Sequence, residues 1–276
     1  MRGQVLTVGI MLAACLAVRP ACAASPAVSA AETSVNLSVG VMHTQYHENI
    51  TPGDDESGVT PGFGVSISAL VPAHPGYASS VDIYSALLYD FDAGNIGYNG
   101  HYALSGAPVT ATDRAVFNRL EARLGLGFPL MGGAESIPFL AAGYQAWNRN
   151  IDTNGAVGTD EFYHSGLFGV GYRLDVPIGA GLVASGTGEV FALAGGGISA
   201  NTSNFSGSFG VTPEERVELG LNDAISGRFH LFATAFWEHF NYAGTRPQSY
   251  GDYVIYEPFS TTTQFGANFG FGYSFD

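Results

Sequence analysis

From Phe265 to Phe275 the chain alternates without a break. Phe265, Ala267, Phe269, Phe271, Tyr273 and Phe275 are separated by Gly266, Asn268, Gly270, Gly272 and Ser274. A period of two puts the aromatic residues on one face of a strand and the small polar residues on the other. A face this aromatic suits lipid, with a polar or Gly-lined interior behind it. The same alternation, punctuated by turn residues, predicts nine earlier strands near 34–48, 58–72, 77–94, 114–130, 137–150, 161–178, 182–199, 214–225 and 229–243. The fourth sets Leu120, Ala122, Leu124, Leu126 and Phe128 against Arg119, Glu121, Arg123, Gly125 and Gly127. The seventh and ninth are blurred, since Phe232, Phe236 and Phe240 share a face with Glu238. Short turns near 73–76, 131–136, 179–181 and 226–228 alternate with long polar loops near 49–57, 95–113, 151–160, 200–213 and 244–259. The expectation is an all-β fold, a closed antiparallel transmembrane barrel of about ten strands with both termini on one side.

Composition agrees with that picture. Hydrophobic residues make up 46% of the chain and charged residues only 12%. A soluble surface carries about 25–35% charge, so much of this surface meets something other than water. All ten basic residues are Arg, and the net charge is −14. An acidic chain with scattered basic residues argues against a nucleic-acid partner.

The N-terminus reads as an export signal over residues 1–23. Arg2 precedes an apolar run from Val5 to Val18, Arg19-Pro20 ends it, and Ala21-Cys22-Ala23 offers a cleavage site. Leu12-Ala13-Ala14-Cys15 is the competing motif, which would lipidate Cys15. Cleavage after Ala23 removes both cysteines, leaving no thiol, disulfide or cysteine metal site. Residues 24–33 are Ala/Ser-rich and expected to be a flexible periplasmic lead-in, and 34–276 a single barrel domain.

With its signal, its alternating segments and its terminal Phe269, Phe271, Tyr273 and Phe275, the chain resembles the small, non-trimeric bacterial outer-membrane β-barrel proteins. The resemblance covers essentially the whole mature chain. It implies residence in the outer membrane, contact with its lipid and lipopolysaccharide, and a monomer. It also implies recognition of the terminal aromatic strand by the barrel-assembly machinery, although Asp276 follows the last aromatic.

Several charged residues fall on the inferred interior face: Asp82, Asp90, Asp92, Arg119, Glu121, Arg123, Arg173, Asp175, Glu189, Arg216, Glu218 and Glu238. Asp82, Asp90 and Asp92 are expected to neighbour Arg119, Glu121 and Arg123. Charges turn inward because Arg facing lipid at the midplane costs about 2–4 kcal/mol. Paired there, they would plug the lumen of a non-enzymatic scaffold; unpaired, they would line a narrow path for ions or small solutes. Asp90-Phe91-Asp92 also invites comparison with the omptin proteases, which pair an Asp couple with an Asp-His couple. The partner is absent from Asn201-Thr202-Ser203-Asn204-Phe205, and Glu238-His239 are adjacent, so they face apart. His164-Ser165 resembles the His/Ser pair of outer-membrane lipid A deacylases, with the same objection. The acidic loop residues Asp54, Asp55 and Glu56 are weak candidates for a divalent cation, and their spacing fits no EF-hand. No cofactor is indicated. Tyr98, Tyr102, Tyr250, Tyr253 and Tyr256 are expected in an external aromatic girdle.

Overall fold

A computed structural model describes residues 24–74, 81–102, 105–152, 158–201 and 204–275. The expected signal peptide with Cys15 lies outside these residues, as do the end of the expected turn at 73–76 and the side chains of Tyr250 and Tyr253.

Ten long strands form the wall: β1 (Ser34–Glu48), β2 (Asp55–Pro72), β3 (Asp82–His101), β4 (Pro108–Pro129), β5 (Glu135–Asp152), β6 (Thr159–Pro177), β7 (Leu182–Ala200), β8 (Thr212–Ser226), β9 (Phe229–Tyr242) and β10 (Ser260–Ser274). Each pairs antiparallel with its neighbours in the chain. β1 pairs with β10 along its whole length, from Ser34 opposite Ser274 to Glu48 opposite Ser260. Closure leaves no sheet edge, so the backbone polar groups of the wall are paired within it, as lipid requires. A short strand, Phe205–Ser208, extends the external end of the sheet beside β7, and a small hairpin, Gln248–Tyr250 with Tyr253–Ile255, rises from the last loop. The turn at Met131–Gly133 places Gly132 and Gly133 at φ +79°, where a side chain would be strained. Among the described residues no helix is long and apolar enough to cross a membrane; this chain crosses with strands.

The expected facing holds where the alternation is sharp. Leu124 is 61% exposed, Leu219 64% and Phe269 57%, while Arg119, Glu121 and Arg123 on the other face of β4 are buried. The blurred strands have apolar residues on both faces. Phe232, Phe236 and Phe240 point inward with Glu238, and Leu231 and Trp237 point outward. In β7 the register against β6 slips between His164 and Gly166, opposite the extra residue Gly195 at φ +65°. The bulge switches the buried set from Phe191 and Leu193 to Ile198 and Ala200.

Where the sequence indicates a loop at 95–113, β3 continues to His101 and β4 resumes at Pro108. About 9–11 residues suffice to cross the hydrocarbon, yet β3 has 20 and β4 has 22. The surplus stands above the membrane, and there the pattern inverts. Asn95, Asn99, Asn148 and Asn150 face water, while Ile96, Tyr98, Trp147 and Ile151 pack inside. The lower barrel is apolar outside and polar within; the upper barrel is built like a soluble one. Tyr98 therefore sits in the interior rather than in the expected girdle, whereas Tyr102 and Tyr256 are exposed.

The expected flexible lead-in is instead ordered in part as a helix, α1 (Pro26–Glu32). The Ser25 hydroxyl accepts from the Val28 amide at 3.2 Å, and Pro26 starts the first turn, where its missing N–H costs nothing. Val28, Ala31 and Glu32 are buried against the periplasmic end of the lumen.

Candidate functional site: the lumen

The lumen is crossed by charged and aromatic side chains at three levels. In the middle, Arg119 extends from β4 across the barrel and donates to Glu214 on β8 at 2.7 Å and to Glu238 on β9 at 3.2 Å. It also donates to Glu121 at 3.2 Å and Gln145 at 3.3 Å. Glu121 accepts from Arg123 at 2.6 Å, and Arg123 reaches Glu189 on β7 at 3.0 Å. Arg216 donates to Glu238 at 2.6 Å and lies 3.7 Å from Glu218. The guanidinium groups of Arg119, Arg123 and Arg216 rest on the rings of Phe191, Phe139 and Phe236 at 5.1, 5.1 and 4.5 Å. Arginine suits this arrangement because its planar fork bonds several carboxylates while its faces stack on rings.

The outer level is organised by Arg149 of β5. It pairs with Glu56 of β2, donates to Glu161 and to the Tyr163 hydroxyl, each at 2.6 Å, and stacks over Tyr46, Trp147 and Tyr163. The last external loop is fastened here: Tyr163 and Tyr46 donate to Glu257 at 2.7 and 3.2 Å. Burial pushes the Glu257 carboxyl up to about 8, Glu161 adds to the rise, and Arg149 opposes it.

At the periplasmic level, Arg173 donates to Glu32 of α1 at 2.7 Å, lies 3.0 Å from Asp175, and reaches the Thr187 hydroxyl at 3.3 Å. Burial pushes the Glu32 carboxyl up to about 7; Arg173 opposes the rise and Asp175 adds to it. Glu135, Asp82 and Tyr84 share this end of the barrel. The docked helix thus binds the Glu32 proton more tightly than the released one, whose carboxyl titrates near 4.5. This contribution to docking is complete below about pH 4.5 and is lost as pH rises through about 7. Hydrogen-exchange protection of the Val28–Glu32 amides, corrected for intrinsic rates, is expected to fall between pH 4.5 and 7 and level off above. Glu32→Gln should flatten that dependence; an unchanged slope in the variant would assign it to another group.

Between these levels run adjoining cavities of about 50, 90 and 110 Å³. A larger one, about 460 Å³, opens at the external rim and is lined by Asn148, Asn150, Asp160, Phe162, Asn201 and Asn204.

The structure redistributes the pairing expected from the sequence. Asp90 lies opposite Arg119 in the ladder, yet Asp82, Asp90 and Asp92 form no ion pair with Arg119 or Arg123. The long arginines reach past these short side chains to glutamates across the lumen. Asp90 and Asp92 line the middle cavities, nine or more residues along β3 from its external end, and no His lines those cavities. Ser165 is buried in the lumen, while His164 lies on the outer face stacked on Phe162. Asp54, Asp55 and Glu56 diverge: Asp54 accepts from Tyr98, Asp55 pairs with His47 at 2.5 Å outside, and Glu56 faces inward to Arg149. Among the described residues no group of three acidic, His or Cys side chains can hold a metal ion. The sequence left Glu32, Glu56, Glu135, Arg149, Glu161, Glu214 and Glu257 out of the lumen set. Glu214 shares parity with Arg216 and Glu218, a usable signal; Arg149 sits among apolar residues on both faces of β5, so parity gave none.

No protein-family model and no curated protein sequence matches the chain. Solved structures do. The outer membrane protease OmpT from Escherichia coli superposes with a TM-score of 0.54 at 9% identity, over 88% of this chain and 97% of that one. The translocator domain of the autotransporter NalP from Neisseria meningitidis gives 0.38 at 13% identity, over 88% and 89%. The toluene transporter TodX of P. putida gives 0.34 at 8%, over 92% and 93%. The last two superpose too loosely to inform function, and the first shares a fold alone. That fold is the bacterial outer-membrane β-barrel.

Proposed function

We propose that this protein is a non-enzymatic scaffold of the bacterial outer membrane, a barrel with a sealed lumen that holds a rigid external extension and its loops above the lipid. The observation that carries this is the reach of Arg119 from β4 to Glu214 and Glu238 on the far wall, which fills the middle of the lumen with fixed, paired charge. The external rim, with its amide-rich cavity, is where such a scaffold would meet its surroundings. Outer-membrane lipid and lipopolysaccharide would surround the belt, and the assembly machinery would read Phe269, Phe271, Tyr273 and Phe275 on the outward face of β10. The barrel would act as a monomer.

A narrow solute channel is the second possibility, favoured by the cavities beside the charged plug. Proteolysis has less support, since Asp90 and Asp92 converge with no histidine. Planar-bilayer recording of the purified protein separates the first two. The scaffold gives no steps above the bare bilayer at moderate voltage; steady unitary currents would establish the channel instead.

A further inference from the structure

The two lower cavities, of about 110 and 90 Å³, adjoin one another through shared walls of Asn36, Ser66, Leu88, Phe232 and Thr234. Their linings set polar side chains, among them Asn36, Ser66, Glu218 and Thr234, beside apolar ones, so water or a small polar solute finds hydrogen-bond partners there. Ala31 and Glu32 of α1 close the lower one.

What retains α1 is Val28 in the apolar cluster of the lumen, with Ala24 and Ala27 beside it, and a small number of hydrogen bonds. These include Ser34 Oγ–H to the Ala31 carbonyl at 2.9 Å and Phe275 N–H to the Thr33 carbonyl at 3.2 Å. The helix has seven residues, fewer than a helix needs to persist alone in water. Val28 is the largest apolar side chain it buries. Ser25 N–H donates to the Gly133 carbonyl at 2.9 Å, and the Thr33 hydroxyl bonds the Leu70 backbone at 3.2 Å. Arg173 bonds Glu32, but it keeps Asp175 and Thr187 if Glu32 leaves. The wall beside α1 is held by continuous strand pairing, so α1 is the element that opens first.

We propose that α1 is a detachable periplasmic plug: it swings out on Thr33-Ser34 and admits small polar solutes to the lower lumen, while the Arg119 and Arg149 levels keep the barrel closed across the membrane. The protein is then a vestibule that opens to the periplasm alone. This rests on the scaffold reading, in which the Arg119 and Arg149 levels are sealed; bilayer currents test those levels, whereas the change in labelling rate on substitution in α1 tests the plug, so the two failures are distinguishable.

The test is a single reporter, Ser66→Cys, in the mature chain, which on cleavage after Ala23 carries no other cysteine. The protein is inserted into liposomes, and a small cationic methanethiosulfonate that does not cross lipid is added to one side at a time. An exposed Ser226→Cys serves as the rate standard. Labelling of Ser66→Cys is expected from the periplasmic side alone, at least a hundredfold slower than the standard. Val28→Asn is expected to raise that rate at least tenfold. Thr33→Val, expected to raise it several-fold, provides the same test where Val28→Asn lowers the folded yield. Overturning results are equal labelling from both sides, or a rate that neither substitution changes, including no labelling at all.

Discussion

Arg119→Met is expected to lower the stability of the folded barrel by about 3–5 kcal/mol, the usual result of removing one partner from a buried ion pair. The loss is not shared evenly among the three glutamates. Glu121 keeps Arg123, and Glu238 keeps Arg216. Glu214 is left alone: its Oε1 accepts from Arg119, and its Oε2 already lacks a partner. Glu214→Gln in the Arg119→Met background should therefore recover most of the loss, since the orphaned charge is removed. Equilibrium unfolding in urea from lipid vesicles, run as a double-mutant cycle, measures this directly. Additive losses in the cycle would mean that Glu214 does not depend on Arg119.

Leu124→Arg is the second large effect. Leu124 lies on the outward face of β4, 61% exposed, with Leu120 and Leu126 beside it on that face. Arginine at the hydrocarbon midplane costs about 2–4 kcal/mol, so the equilibrium constant for folding in lipid falls roughly 30- to 1000-fold. Thr234→Arg is the matched control. It introduces the same side chain on the lumen face of β9, beside a cavity lined by Asp90, Glu121 and Glu218 as well as Arg119, Arg123 and Arg216, and should cost less than Leu124→Arg, because polar partners there replace the hydrocarbon. The contrast holds the introduced residue constant and changes only the solvent it meets. Equal losses for the two variants would place both faces in similar surroundings.

The sequence exposed the barrel most clearly where one face meets lipid and the other is polar. From Arg119 to Phe128 in β4 and from Phe265 to Ser274 in β10 the alternation alone assigned the side chains, because Leu124 and Phe269 cannot be exchanged for Arg123 and Gly270 without placing charge or bare backbone against hydrocarbon. The signal faded for two physical reasons. Inside β9, Phe236 and Phe240 are drawn inward to pack against Arg216 and Tyr242, so both faces read as apolar. Above the membrane the requirement reverses, and Asn95 and Asn99 resemble loop residues although they lie within a strand. Inward charges of the middle level such as Arg119, Glu121 and Arg123 were identifiable by parity, whereas Arg149 and the partners of all of them were not. Strand order determines neighbours, whereas Arg119 bonds Glu214 and Glu238 across the diameter. Helix α1 was missed because Ser25 to Glu32 is short and has no apolar stripe; its helicity depends on the Ser25 cap and on Val28 entering the lumen.

The most direct measurement is a cysteine scan of positions 265–274 on β10, with an environment-sensitive fluorophore attached at each position in lipid vesicles. Positions 265, 267, 269, 271 and 273 should be quenched by a lipid-dissolved quencher, and the even positions between them should not. A period of two, in phase with the aromatics, is the expected result. Uniform quenching along the strand, or odd positions reached only by an aqueous quencher, would show that this face does not meet lipid and that the barrel does not stand in a membrane as described.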